Sequence, residues 1–366
     1  MYIQRLTLSN FKNYEEAEFH FSDKINCFVG NNGVGKTNLL DAIHYLAFCK
    51  SYFTATDLHN IRHGEDFFAI HGSCFRGGSV PDLLQCVQKK GQRKKFLLNK
   101  KEYERLADHI GTVPLVMISP YDRDLINDGS EIRRKYIDSV ISQFDRLYLD
   151  DLINYNKALF QRNALLKLFA ERGSFDAGSL EIWDEQLIPL GEAIYTRRQA
   201  FLAEFIPIFR KYYRFISGDT EVVDIRYVSQ LHERPARELM SESLKRDRST
   251  QFTNTGIHKD DLEYLMGGYP VKRYGSQGQQ KSFVVAVKLA QFDFTKGRKG
   301  FKPILLLDDV FDKLDDLRVE QLIKLVSENS FGQVFITDTQ EEKVRRIFDA
   351  IPIGHKIFRI PVNAAP

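Results

Sequence analysis

No stretch of this 366-residue chain approaches the ~18 consecutive apolar residues that a membrane-spanning helix needs. The opening MYIQRLTLSNFKNY lacks the apolar core of a secretory signal, so a cytoplasmic protein with no membrane partner is expected. Cysteine is scarce. Cys27, Cys49, Cys74 and Cys86 stand far apart with no CxxC pair, which argues against a zinc site or a disulfide framework and fits a reducing compartment. An excess of one charge is lacking too: 52 Lys and Arg against 49 Asp and Glu leave a formal +3, so any nucleic-acid surface must be a local patch. Internal repeats, low-complexity segments, sustained heptads and a guanine-reading N-K-x-D motif are all missing.

What is present reads as an α/β protein interrupted by helices. Residues 1 to about 30 alternate as strands, ending in the apolar run Ile25 to Val29. The segments LLQCV, KKFLLN and PLVMIS supply further strands between residues 68 and 118, punctuated by glycines. From about 130 to 215 apolar residues recur at helical spacing, and the stretch from Ile182 to Ile216 is expected to break at Pro189 and Pro207. The α/β pattern then returns, with a helix from about Ser276 and the apolar strands Ile304 to Leu307 and Gln333 to Ile336. The expected division is 1–125 and 256–366 for an α/β head and 126–255 for an inserted helical arm.

The turn after Val29 carries the chemistry. Gly30-Asn31-Asn32-Gly33-Val34-Gly35-Lys36-Thr37 matches G-x-x-x-x-G-K-T, and Asn38 follows. Glycines let the backbone wrap a phosphate, and successive N–H groups with a helix N-terminus point at the anion. Lys36 adds a mobile positive charge for the β- and γ-phosphates, and the Thr37 hydroxyl is a magnesium ligand. Average glycine usage would produce this pattern in roughly one random chain of this length in a hundred. Here it follows an apolar strand and opens an amphipathic helix, as phosphate binding requires. Ile304-Leu-Leu-Leu307-Asp308-Asp309 agrees with it: a buried strand ends in two carboxylates, where Asp308 can hold Mg²⁺ and Asp309 can polarise an attacking water. ATP and Mg²⁺ are the expected cofactors.

Further along, Ser276 with Gln279 forms an S-x-x-Q capping box at a helix start. Tyr274-Gly-Ser-Gln-Gly-Gln-Gln280 resembles the signature motif of ABC-type ATPases, and Leu314-Asp315 stands where that family has its D-loop. The opening from Ile3 to Tyr14 is similar to the SMC-like branch. Within that branch the chain resembles the RecF family nearly end to end, most specifically in GNNGVGKTN (30–38), SEIRRKYID (130–138), YNKALFQRNALL (155–166), TGIHKDD (255–261) and LLLDDVFDKLDD (305–316).

The resemblance implies an ABC-type P-loop ATPase head with an inserted helical arm and no long coiled coil. It also implies an ATP-dependent homodimer, in which Ser276 of one copy closes over the γ-phosphate bound by the other. DNA repair follows from it, at duplexes and single-strand junctions without sequence preference, with RecO and RecR as partners in loading RecA and a part in the SOS response. A weak, DNA-stimulated ATPase is expected, because Asp309 replaces the longer glutamate of many relatives and Thr337-Asp338-Thr339 lacks the usual switch histidine. The rival reading is an ABC-type nucleotide-binding subunit serving a transporter.

Candidate DNA contacts are Lys89, Lys90, Arg93, Lys94 and Lys95 in the head, with Lys100 and Lys101 completing the basic cluster. Arg133, Arg134 and Lys135, then Arg197 and Arg198, are the candidates on the arm. TGIHKDD, with one histidine beside two aspartates, is a poor metal set and reads as structural.

Overall fold

The computed structural model describes residues 1–218, 221–309, 321, 324–325, 331–349 and 353–361. They divide into two compact units: 1–122, 215–218 and 281–366 form the first, and 123–214 with 219–280 form the second.

In the first unit, strands β1 (Tyr2–Phe11), β2 (Tyr14–His20), β4 (Phe67–Phe75), β5 (Asp82–Lys89), β6 (Lys95–Leu98) and β7 (Lys101–Glu102) form an antiparallel sheet in the order β2-β1-β4-β5-β6-β7. Buried and exposed residues alternate along β4 and β5, the mark of a sheet with one face on a core. Strands β3 (Ile25–Val29), β8 (Leu115–Ile118), β12 (Ile304–Leu307), β13 (Val334–Asp338) and β14 (His355–Arg359) form a parallel sheet, ordered β14-β3-β13-β12-β8. Every residue of β3, β8, β12 and β13 is buried, and β8 and β12 are wholly apolar while β3 and β13 are mostly so. Helix α1 (Lys36–Phe48) packs against strands of both sheets, including β1 and β4 on one side and β8 and β13 on the other. Gln333 ties the sheets together: its side chain accepts from Ile3 N at 2.8 Å and donates to Ile3 O and Ser22 O at 2.7 Å each. Helix α9 (Glu341–Phe348) precedes β14. Because β3, β13 and β12 are neighbours and parallel, the chain leaves all three at one edge of the sheet, at Gly30, Asp338 and Asp308.

The second unit contains α2 (Asp124–Asn127), α3 (Ser130–Ser142), α4 (Arg146–Arg172), α6 (Ala236–Thr250), α7 (Val271–Tyr274) and most of α5 (Ala177–Ser217). It also holds a three-stranded antiparallel sheet, β9 (Val223–Val228), β10 (Asp261–Met266) and β11 (Tyr269–Pro270), ordered β11-β10-β9. Helix α8 (Gln277–Lys299) starts in this unit and runs on in the first.

Two features differ from the expectations. Residues 256–280 cluster with the helices rather than with the head, because β10 takes its hydrogen bonds from β9 and α3 and α7 pack on β10. Helix α5 also runs unbroken through Pro189 and Pro207. A proline inside a helix leaves the carbonyl four residues earlier without its donor. Here those carbonyls belong to Glu185 and Ala203, and all four residues are exposed, so water can satisfy them. The opposite face buries Leu187, Ile194, Phe201, Phe205, Phe209 and Tyr213. That burial offsets the ~3 kcal/mol a helical proline costs.

Candidate nucleotide site

The loop between β3 and α1 takes a conformation that only glycine adopts freely. Gly30, Gly33 and Gly35 have φ of 154°, 83° and 109°. A Cβ at Gly35 would lie 2.4 Å from the Asn13 amide nitrogen, so the loop also leaves no room there. Asn13 itself braces the loop: its Nδ2 donates to Val34 O at 2.9 Å, and its Oδ1 accepts from Asn38 Nδ2 at 2.8 Å. Tyr14 donates its hydroxyl to Gly35 O at 3.0 Å. Lys36 is buried and turns back into the loop, donating to Gly30 O at 2.7 Å and Asn31 O at 2.9 Å.

At the neighbouring strand end, Asp308 Oδ1 accepts from Thr37 Oγ1 and from Thr337 Oγ1, each at 2.9 Å. The Thr337 hydroxyl in turn accepts from Asp309 N at 2.9 Å, and Asp309 sits in the left-handed region at φ 47°. Burial lifts the Asp308 carboxyl to about 6, with the Asp309 charge adding to the rise and the two threonine hydroxyls opposing it. Asp309 Oδ1 is buried and has no hydrogen-bond partner among the described residues. The donor set therefore fits a triphosphate with its magnesium: a glycine cradle, a lysine held by exchangeable carbonyls, a hydroxyl and a carboxylate in contact, and an unsatisfied carboxylate oxygen beside them.

Two further side chains brace this region. Asp41, on α1, is fully buried and bound by Lys12 Nζ at 2.6 Å, Ser51 Oγ at 2.6 Å and Tyr52 N at 2.7 Å. Lys288, on α8, pairs with buried Asp122 at 2.7 Å, and the Tyr52 hydroxyl lies 3.0 Å from Lys288 and bonds Asp122 as well. Sequence reasoning assigned no role to Asn13, Asp41 or Thr337. For Asn13 and Thr337 the available signal was position, one in the turn after β1 and one at the end of the strand beside β12.

Ser276 lies in the second unit, at the start of α8. Its capping box forms as expected: Ser276 N donates to Gln279 Oε1 at 2.7 Å, and Gln279 N donates to Ser276 Oγ at 3.2 Å. Leu314 and Asp315 lie outside the described residues. His258 bonds the Tyr155 hydroxyl at 2.8 Å and Thr253 O at 3.0 Å. Burial presses its imidazole to about 4, so it is neutral at pH 7.

The basic residues sort differently from the expectation. Lys89 and Lys95 are exposed. Lys90 pairs with Asp66 at 3.1 Å, and Arg93 donates to Glu104 O at 2.8 Å. Lys94 leaves the expected DNA patch. Its ammonium is turned inward onto Asp57 at 2.6 Å, Cys49 O at 2.5 Å and Tyr45 Oη at 3.0 Å. Neighbouring residues on an extended chain face opposite ways, so Lys94 and Lys95 cannot both point to solvent. On the arm, Arg133 is committed to Asp261 and Arg134 to Asp260 O, while Arg197 pairs with Asp151 and Lys135 with Glu131. Arg198 is buried.

The family described as "AAA ATPase domain" matches residues 1–161. The DNA replication and repair protein RecF of Flavobacterium johnsoniae is 49% identical over 360 residues, covering 98% of this chain and 100% of that protein. The protein of the same name from Bacteroides fragilis is 48% identical over 364 residues, covering 100% and 98%. A solved structure of the recombination mediator protein RecF with ATP, described in the RecFOR pathway, superposes with a TM-score of 0.86 at 30% identity, covering 93% of this chain and 92% of that one. An Smc head bound to the C-terminal winged-helix domain of ScpA has a TM-score of 0.55 at 15% identity, covering 93% and 90%, and shares the fold. No described helix is long and apolar enough to cross a membrane. An SMC-head-like ATPase fold, a glycine loop set beside paired carboxylates, and close relatives matched over their full length lead to one assignment: the chain belongs to the RecF family of DNA replication and repair proteins.

Proposed function

We propose that this chain is an ATP-switched DNA-binding protein of recombinational repair and replication-fork maintenance, acting in the cytoplasm as an ATP-dependent homodimer. The observation that carries the reading is the contact of Thr37 with Asp308 beneath the glycine loop, beside an unsatisfied Asp309 oxygen, in a chain of this family. The loop N–H groups from Asn31 to Asn38 and the N-terminus of α1 hold the phosphates. Lys36 exchanges its two carbonyl partners for phosphate oxygens. Thr37 and Asp308 hold the magnesium, which when bound supplies charge neutralisation at the phosphates. Asp309 orients the attacking water with a side chain one methylene shorter than glutamate, which suits slow hydrolysis.

Ser276, with the capped N-terminus of α8, meets the γ-phosphate bound by a second copy, so the nucleotide favours the dimer by differential affinity. Paired heads hold duplex or junction DNA without reading bases, through exposed lysines such as Lys89 and Lys95. RecO and RecR are the partners that the family membership suggests, with RecA loading as the outcome.

Sedimentation velocity of the purified chain, with and without Mg·ATP and duplex DNA, tests the reading. A dimer forming only with ATP is expected, and Ser276→Arg should abolish it while sparing ATP binding by the monomer. A chain that stays monomeric at saturating Mg·ATP with DNA present contradicts it.

A further inference from the structure

Many basic side chains of the second unit are held in ion pairs, but a group of them at one end is not. Where the C-terminal part of α4 meets α6 there is a cleft of about 540 Å³, with Phe175, Lys245 and Arg248 among its lining residues and no acidic residue. Arg248 lies over the Phe175 ring at 4.1 Å, and Lys167, which follows the lining residue Leu166, lies over the Phe252 ring at 4.6 Å. Phe252 is half exposed. Arg172, the last residue of α4, adds another exposed cation beside the lining residue Gly173. Among the described residues none of these four cations has an ion pair, whereas Arg133, Arg162, Arg197, Arg198, Arg226 and Arg237 of the same unit all do.

Uncompensated cations together with ring faces are the chemistry that takes a phosphate and a base at once. Shape narrows the ligand. A paired base leaves its stack for a concave site only at the cost of unpairing and unstacking, whereas an unpaired nucleotide can place its base against a ring or a guanidinium plane without that cost and leave its phosphate to the rim. We propose that this cleft binds an unpaired nucleotide of a DNA strand, with the Arg248 guanidinium, laid on the Phe175 ring beneath it, stacking the base and Lys245, Lys167 and Arg172 holding the flanking phosphates. The proposal rests on the DNA-binding reading above and makes the arm the element that favours single-stranded or gapped DNA over plain duplex.

The test uses the full chain with Mg·ATP and fluorescein-labelled oligonucleotides, a dT 20-mer and a 20-base-pair duplex, followed by anisotropy across a salt series. Lys245→Glu/Arg248→Glu should weaken dT binding by at least about tenfold and reduce its salt slope by roughly 1.4. Duplex affinity should change by less than about threefold. Phe175→Leu keeps the charge and should weaken dT binding about fivefold to tenfold with an unchanged salt slope. Circular dichroism checks that each variant folds. Equal losses for dT and duplex, or no loss for dT in folded variants, overturn the cleft assignment. A wild-type chain that binds duplex but not dT also overturns it while leaving the DNA-binding reading intact, and one that binds neither overturns both.

Discussion

Both units bury charge in closed ion pairs, and the first also holds an open set of carboxylates at the end of β12. In the second, Arg162 reaches Asp184 at 2.5 Å and Asp247 at 2.7 Å. Arg198 reaches Asp138 at 2.8 Å and Asp260 at 2.9 Å, and donates to Ile257 O as well. Each of these two buried cations faces two carboxylates, and Nη2 of Arg162, with its two N–H groups, is left over among the described residues. In the first unit, buried Asp308 accepts only from hydroxyls, and its neighbour Asp309 keeps an unsatisfied oxygen. The arm's buried cations have their carboxylates without a ligand. Asp308 and Asp309 lack an ion-pair partner among the described residues, unlike Asp41 and Asp122 of the same unit, which have Lys12 and Lys288, and that lack marks the site. A buried charge cluster is thus read by its balance: closed networks hold a fold together, and open ones await a partner.

The largest expected effect breaks the closed network. Arg198→Met leaves buried Asp260 and half-buried Asp138 without their cation and should destabilise the chain by about 3–5 kcal/mol, measured by urea unfolding. Its counterpart in the head should have the opposite sign. Asp308→Asn removes a carboxylate whose ionisation burial disfavours, so the nucleotide-free protein should gain about 2–3 kcal/mol and melt a few degrees higher.

Acidification sharpens the contrast. The raised carboxyl of Asp308 costs stability only when ionised, so its contribution improves as pH falls from about 6 towards 4. His258 is a base depressed to about 4. Its contribution is present above about 6.5 and is lost as pH falls through 4, with about 1.4 kcal/mol gone by pH 5.5. His258→Asn should remove roughly 1 kcal/mol of the fall in stability between pH 7 and 5.5 in chemical unfolding, leaving the share of His44 and His109, which burial depresses likewise. The smallest effect separates two adjacent lysines. Lys95→Glu should leave stability within about 0.5 kcal/mol. Lys94→Met should cost about 1 kcal/mol or more, because Asp57 then loses its inward partner.

The fold and the glycine loop were legible because their signals are local. Continuous apolar runs gave β3, β8 and β12, and the spacing from Gly30 to Thr37 named the loop. What escaped depends on distant or facing residues. Arg198 and Asp260 are 62 positions apart, so no local pattern separates this buried pair from a solvated basic stretch. Lys94 and Lys95 look alike in a charge run, and only the alternation of an extended chain distinguishes them. The prolines of α5 suggest breaks until each is seen on an exposed face. Asn13 carries no motif of its own, and its role appears only when the turn after β1 is brought against the loop.

The most direct measurement is thermal unfolding of the wild type and Asp308→Asn, each with and without saturating Mg·ATP. If the open carboxylates of the head are the metal and nucleotide site, Mg·ATP at about 100 times its dissociation constant should stabilise the wild type by roughly 2.7 kcal/mol. Magnesium should then add little to what ATP alone gives the variant. An equal gain from Mg·ATP in both proteins would contradict the account.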